Sequence, residues 1–399
     1  MSTDLKFDIA IVGAGPAGLI AAAALANTGR SLCVIDPSHP HAAADETDRD
    51  LRSTAFLQPA CQLFSEIGIW NQIKPAAHRL RALKIVDLAG TPPRFRDARQ
   101  FEPKDLGLTE FGWNILNWQL REVLLSHLEK QKNVTLCWGR SLQALFTRNE
   151  FARLTLTDGS RITCKLAIAA DGRSSGLRQA AGINVDITRY GQKSLAFSAL
   201  HDVPHDEVST EIYHKGGPFT MVPLGTVGAR HASAIVWMNE GPRAAALLAL
   251  DVPEFEAAMN LRTAHLFGPL TLASPRGMFP ILSQKTQAFC AQRVAVIAEA
   301  AHVLPPIGAQ GLNTSVADIA ALHGLITPNN DPGSEKLLNA YAASRQNDVK
   351  MRARAIDLFN RVTRSDNPAL QTLRLHALRA AYQIAPLRKG IMHAGMGPR

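Results

Sequence analysis

The chain opens on a short β-branched apolar run, residues 8–12, broken by glycines at 13, 15 and 18. An alanine-rich apolar stretch from 19 to 27 follows and stops at Gly29, where a helix would end. A second apolar run, 32–35, closes on Asp36. The pattern reads as strand, tight turn, helix, strand, acid. Residues 52–56 open a helical segment that runs through Leu63 to Trp70, and 80–99 alternate as strands around Pro92-Pro93. From 115 to 128, leucines at 116, 120, 124 and 128 give a helical repeat. Residues 134–138 form a strand, and 152–157 with 161–166 form a hairpin about Asp158-Gly159. The apolar strand 166–170 ends in Asp171-Gly172. Between 190 and 279 the pattern becomes short strands at 194–200, 211–214, 219–223 and 232–237, with an amphipathic stretch at 253–266. A buried strand at 293–297 leads into the segment 298–313 and then a helix over 314–324, and from about 341 the chain is helical. No internal repeat is evident.

The first unit has a physical logic. Gly13 makes the turn, Gly15 lets a pyrophosphate approach the backbone, and Gly18 lets the helix lie close on the sheet. The diphosphate then meets the free N–H groups at the helix start. Asp36 is placed to accept hydrogen bonds from an adenosine ribose. This is a dinucleotide-binding unit, and by itself it does not separate NAD from FAD. Asp171, at the carboxyl end of its strand, faces the ligand crevice of an open α/β sheet. Arg52 is read either as a phosphate or cofactor contact or as a surface arginine paired with Asp48 or Asp50. Asn117 is read as a helix cap that can also face a ligand.

Composition narrows the class. A chain of 399 residues with 46% hydrophobic content carries two or three domains. It has no apolar run of the ~18 residues a membrane span needs, and its first residues are too short and polar for a secretory leader. A cytoplasmic location is therefore expected. Its five cysteines form no CxxC pair and read as buried thiols, with no metal site expected. The net charge of +9 is uneven: over 350–399, ten Lys/Arg stand against Asp357 and Asp366. That tail suits an anionic lipid surface, an acidic partner, or simply a solvated helical face. No nucleic-acid module accompanies it, and no nucleic-acid partner is expected.

Three motifs taken together carry a resemblance: Gly-Ala-Gly-Pro-Ala-Gly at 13–18, Asp171-Gly172 with Ser175 and Arg178, and Ala-Ala-His-Val-Leu-Pro-Pro-Ile-Gly-Ala-Gln-Gly-Leu-Asn at 300–313. In this order the chain resembles, over nearly its whole length, the class A flavoprotein monooxygenases of the para-hydroxybenzoate hydroxylase fold. Within them it looks most like the ubiquinone-biosynthesis hydroxylases. The resemblance implies an α/β fold: a Rossmann-like FAD-binding domain of glutathione-reductase type (1–75, 100–185 and 276–340), an inserted, mostly antiparallel β substrate domain (76–99 and 186–275), and a C-terminal helical region (341–399). It implies FAD as cofactor and NADH or NADPH as a transient co-substrate, in keeping with the lack of a second glycine fingerprint. Arg52, Asn117, Asp171 and Gly172 would contact FAD. The loop with Pro306, Gly308, Gly311, Leu312 and Asn313 would close over the isoalloxazine ring and stabilise charge on it. One departure stands out: Ala298-Glu299 replaces the family's Gly-Asp, with Glu299 keeping the carboxylate.

By the same resemblance the reaction is hydroxylation of a phenol ring by O2 through a flavin C4a-hydroperoxide, in a pocket kept dry. The Pro306 carbonyl would meet the ring hydroxyl. His302 and Tyr213 are candidates for assisting phenol deprotonation, with packing the preferred reading of His302. Between Leu200 and Val222 there is no arginine to meet a benzoate, only Lys215, and Glu211 adds the wrong sign. Phe219, Met221 and Val222 suit a prenylated phenol. The expected setting is peripheral contact with the inner membrane face through the basic helices, within a quinone-biosynthesis complex. Two alternatives stay open: a hydroxylase of a small soluble aromatic, and a non-catalytic flavin-binding subunit motivated by Ala298-Glu299.

Overall fold

A computed structural model describes residues 4–39, 50, 52–363 and 368–396. Asp48, Arg364, Asp366 and Arg399, which enter the reading above, lie outside them.

The first sheet is built on five parallel strands, and their adjacency decides the rest. Asp4–Val12 is central, flanked by Leu32–Asp36 and Arg161–Ala169. Val134–Trp138 lies beyond Leu32–Asp36, and Val294–Val296 pairs in parallel with the end of Arg161–Ala169. The helix Pro16–Ala26 is buried on every side from Ala17 onward, as its all-apolar sequence requires. It packs against Asn117–Leu128 and Gln310–Leu325.

The second sheet is mostly antiparallel. It runs from Gly277–Thr286 through Val185–His201, Arg230–Glu240, Gly217–Val227 and Val208–His214, then in parallel to Ala82–Ala89 and on to Arg94–Phe101. Gly277–Thr286 and the two-residue strand His302–Val303 thus belong to this sheet, past the boundary drawn at 275. One face is covered by Gly241–Ala249 and Val252–Arg262, over a core with Phe197, Phe219, Trp237 and Phe255. The other face turns toward the 304–308 segment: Met238, Ile281, Leu304, Ile307 and Ile356 form one apolar cluster.

Two local expectations are corrected. Residues 53–57 are a strand, not the start of a helix; the helix is Gln58–Glu66. Residues 115–116 end the strand Gly112–Leu116, and the helix begins at Asn117. The cause is the same for both. Ser53–Leu57 and Gly112–Leu116 pair with each other, and a partner so distant in sequence leaves no trace in local periodicity.

The last three helices, Glu335–Thr363, Pro368–Gln383 and Ala385–Met396, carry the basic tail. Much of its charge is internal. Arg374 donates to Asp87 (2.8 Å), Arg379 to Asp97 (2.7 Å) and Arg388 to Asp105 (2.8 Å), clamping these helices to the 82–106 segment. Arg352 and Arg361 pair within their own helix with Asp348 and Asp357. Asp87 is buried and also holds Arg96. Asp87→Ala leaves the buried Arg374 without its anion, so the substitution is expected to destabilise the protein by about 3–5 kcal/mol. Urea denaturation should show this, with proteolytic cleavage rising first in the 368–396 helices.

Candidate active site

The three motifs leave the carboxyl ends of three neighbouring parallel strands. The 13–18 turn follows Asp4–Val12, Asp171-Gly172 follows Arg161–Ala169, and the 298–313 segment follows Val294–Val296. In an open α/β sheet that edge is where a ligand lies.

Their contacts are close. A Cβ on Gly13 would sit 2.3 Å from the Ala170 carbonyl oxygen and 2.7 Å from Asp171 N, and one on Gly18 would sit 2.0 Å from the Gly13 oxygen. Neither position admits a side chain. A Cβ on Gly15 or on Gly311 would meet nothing within 4 Å, so the space in front of both is open. The helices Pro16–Ala26 and Gln310–Leu325 start without a side-chain cap, leaving their first N–H groups for an anion. Asp36 accepts from Ala14 N at 2.7 Å and from Ser38 N, which fixes the turn from below.

Asp171 accepts from the Ser175 hydroxyl and from Leu177 N (3.1 Å), while Gly172 takes φ +77°. Buried Arg178 donates to Arg173 O (3.0 Å) and Ala300 O (2.9 Å), tying the second motif to the third. Asn313 ties the third motif to the segment after Arg52: its Oδ1 accepts from Leu57 N (2.9 Å) and its Nδ2 donates to Ala55 O (2.7 Å). Gly308 has φ +62° and Ala309 φ +57°, so the loop turns sharply into the helix that carries Gly311, Leu312 and Asn313 in its first turn.

Arg52 does pair with Asp50 (2.8 Å), and its guanidinium also lies 4.7 Å from the Phe279 ring centre on the second sheet. Hydrogen bonding to Asp50 raises its pKa, and Glu299 adds to the effect. Asn117 is not a cap. Its side chain donates to Asp50 (3.1 Å) and accepts from Thr54 Oγ1 (2.7 Å). Asp50 is thereby held ionised: burial alone would raise its pKa, and the Arg52 and Asn117 bonds bring it below the usual carboxylate range. Ala298 takes φ +55°, the left-handed conformation for which glycine is the usual residue, so the turn survives the departure from Gly-Asp. Glu299 is exposed.

His302 is buried against Asp318, Nε2 to Oδ2 at 2.7 Å. Asp318 also takes the Ala298 N–H (2.9 Å) and the Arg345 guanidinium (2.8 Å). Burial raises the Asp318 pKa, but His302 and Arg345 outweigh it and keep the carboxyl below its ordinary value. This hub fixes the segment before the 306–313 loop. The sequence reading missed it, although Asp318 lies four residues after buried Thr314 on one helix face, and an acid in a buried stripe signals a partner. Tyr213 lies on the second sheet, fully buried, with its hydroxyl on Glu211.

The residues therefore fit a flavin nucleotide: an open pyrophosphate cradle at Gly15, two uncapped helix starts, and a loop rigidly backed by Asn313 and Asp318. Comparison with known proteins agrees. Residues 6–355 match the family model of the FAD-binding domain, and the chain belongs to that family. It is 28% identical to ubiquinone hydroxylase UbiL of Rhodospirillum rubrum, over 99% of this chain and 91% of that protein. It is 26% identical to 3-demethoxyubiquinol 3-hydroxylase of Escherichia coli, over 99% and 100%, and 25% identical to the human mitochondrial monooxygenase COQ6, over 98% and 92%. Its fold is that of p-nitrophenol 4-monooxygenase PnpA from Pseudomonas putida, with a TM-score of 0.80 at 17% identity over all of both chains. The protein is an FAD-dependent aromatic monooxygenase with the para-hydroxybenzoate hydroxylase type of fold.

Gly15→Ala should fold normally and lose FAD affinity by about tenfold, ~1.4 kcal/mol, because its Cβ enters the cofactor's space. Gly18→Ala should fail to fold, because its Cβ enters backbone. Flavin absorbance after desalting, read beside thermal melting, separates the two.

Proposed function

We propose that this monooxygenase hydroxylates the ring of a prenylated phenol in quinone biosynthesis, consuming NAD(P)H and O2. The observation that carries the substrate class is the face the second sheet turns to the 304–308 segment. Where the two meet is an apolar cluster: Met238 and Ile281 from the sheet, Leu304 and Ile307 from the segment, and Ile356 from the helix Glu335–Thr363. The structure does bring two guanidiniums near the 208–214 strand from distant segments. Arg374 is neutralised by Asp87, and Arg262 donates to the Ile212 and Gly217 carbonyls and lies over Phe219 on the helix-covered side. Arg374 is taken up by Asp87, and Arg262, though its Nε and Nη1 have no partner among the described residues, is held on the face away from the 304–308 segment, whereas a prenyl chain gains about 25 cal/mol for each Å² of apolar surface it buries. The relatives named as ubiquinone hydroxylases, aligned over nearly their full length, support the same class.

When bound, FAD supplies the chemistry: it takes reducing equivalents from NAD(P)H and activates O2 for transfer to the ring. The protein's share is placement. The N–H groups of the 306–309 loop and the uncapped start of Gln310–Leu325 would stabilise negative charge on the cofactor. The Pro306 carbonyl accepts the ring hydroxyl. His302 holds the loop through Asp318 without touching substrate. The Asp171 loop, Arg52 and Glu299 would help hold the cofactor. Purified enzyme should oxidise NAD(P)H several-fold faster with a prenylated phenol than without, and yield a product heavier by one oxygen in mass spectrometry. Stimulation by hydrophilic phenols alone would replace this reading with that of a soluble-aromatic hydroxylase.

Access to such a substrate runs through a lipid surface. Among the described residues no helix is long and apolar enough to cross a membrane. Yet Met351, Leu358, Leu373, Leu387 and Ile391 are exposed on the last three helices, and Ile384 in the bend between the last two. With the clamp arginines engaged internally, apolar insertion outweighs charge in the proposed peripheral contact. Leu358→Glu with Leu387→Glu should abolish flotation with anionic liposomes while leaving FAD bound. Unchanged flotation would remove the membrane contact.

A further inference from the structure

The face that the second sheet turns to the 304–308 segment has a hollow at its centre. Side chains alternate between the two faces of each strand, and Phe219, Met221, Ile235 and Trp237 point into the helix-covered core. The even positions of Gly217–Val227 and Arg230–Glu240, Met238 among them, therefore make up the opposite face. Through 217–224 every residue is buried except Thr220, and through 232–239 every residue is buried except Val236. The two are register partners on neighbouring strands and project side by side. Their shared exposure, in strands otherwise closed, marks the hollow.

The row that crosses the sheet at this point runs Glu211, Thr220, Val236, Ala196, Gly277. At one end Glu211 accepts from the Tyr213 hydroxyl and from the Gly308 N–H, which ties the loop that carries Pro306 to the sheet. At the other end the Phe279 ring lies against Gly277, where a Cβ would sit 2.9 Å from it, and Arg52 lies over Phe279. Thr220 is one strand spacing, ~4.8 Å, from Glu211. Buried Val222 and Ala234 follow it on one side of the row, and buried Pro218 and Met238 on the other. The hollow thus has apolar borders and one hydroxyl in its floor. Among the described residues that hydroxyl forms no hydrogen bond. Nearby polar groups of the face are otherwise engaged: Tyr213 on Glu211, and Ser209 on the Met221 carbonyl (3.4 Å). Ser194 and Ser198 lie two strands away.

We propose that Thr220 is a specificity-determining residue, and that the substrate ring carries a second oxygen, as hydroxyl or methoxy, to meet it. This rests on the hydroxylase reading above. A ring that enters the hollow removes water from Thr220. The hydroxyl is then buried without a partner unless the ring brings one, and that loss counts against every ring that does not. With the reacting hydroxyl on the Pro306 carbonyl at the cofactor side, Thr220 donates to the second oxygen from the sheet side. A carboxylate in that position would lie beside Glu211 and Val236 with no cation on the row to meet it. A site built to hydrogen-bond a substituent discriminates against the analogue that lacks it, because its own polar group is left unpaired.

The test uses FAD-loaded enzyme with 2-prenylphenol and with its derivatives that carry a hydroxyl or a methoxy group at ring position 5 or 6. Wild type should favour at least one oxygen-substituted ring over the plain phenol, with kcat/KM higher by about five- to tenfold. Thr220→Val keeps the shape of the side chain and removes the hydroxyl, so the preference should disappear, chiefly through KM. Thr220→Ser keeps the hydroxyl and should keep the preference. Dissociation constants, read from the change in flavin absorbance on titration without NAD(P)H, should follow the same pattern. The hydroxyl has no partner in the free protein, so neither variant should lower the melting temperature. Should Thr220→Val not fold, Thr220→Ala supplies the same comparison. A wild type that favours none of the oxygen-substituted rings, or a Thr220→Val enzyme that keeps the preference, would overturn the assignment and leave the hydroxylase reading intact. Wild-type enzyme stimulated by no phenol would overturn both.

Discussion

The structure depends on one close backbone contact, where Gly13 meets the carbonyl of Ala170 with no room for a side chain between them. That approach brings the first and second motifs to a single edge of the parallel sheet, and the register of Arg161–Ala169 with Val294–Val296 brings the third beside them. Strand order alone would place the three loops near one another. The Arg178–Ala300 bond, the Asn313 pair of bonds and the Asp318 hub make the arrangement stiff. A tricyclic cofactor needs such stiffness, because its catalytic use rests on dipoles already in place and not on groups that must reorganise.

Polar chemistry is divided between the two sheets. The parallel sheet contributes helix starts and glycine turns, which are open and suited to phosphate. The antiparallel sheet contributes an apolar face with one buried carboxyl–phenol pair set into it. The long helix Glu335–Thr363 spans both: its Arg345 completes the Asp318 hub, and its Ile356 and Phe359 pack against the antiparallel sheet. The C-terminal region is therefore not an appendage. Its arginines hold the 82–106 segment, and its surface carries apolar side chains such as Met351, Leu358 and Leu387 beside exposed Lys350, Arg354 and Lys389.

Legibility in the sequence followed the range of each interaction. The βαβ unit, the Asp171 turn and the 300–313 motif are local patterns with fixed spacing, and all were readable, as was the mixed α/β architecture, although the helix expected from 314 already starts at Gln310. The strands 53–57 and 112–116 were misread because each is specified by the other across the chain. The Asp87–Arg374 and Asp97–Arg379 pairs were invisible for the same reason, so the basic tail looked freer than it is. Glu211 was seen only as an unfavourable charge in a window of sequence. Its contacts with Gly308 and Tyr213 are set by the fold alone. Asn117 was singled out correctly as a polar residue at a helix start, but a distant acid, not the helix, takes its hydrogen bond.

The central claim is that three separated loops close on one flavin. Hydrogen–deuterium exchange of the FAD-free protein, with and without added FAD, measures this directly. The account requires slowed exchange at 13–18, 171–178 and 306–313 together, saturating at one FAD concentration. Protection confined to 13–18, with the other two segments unchanged, would contradict it.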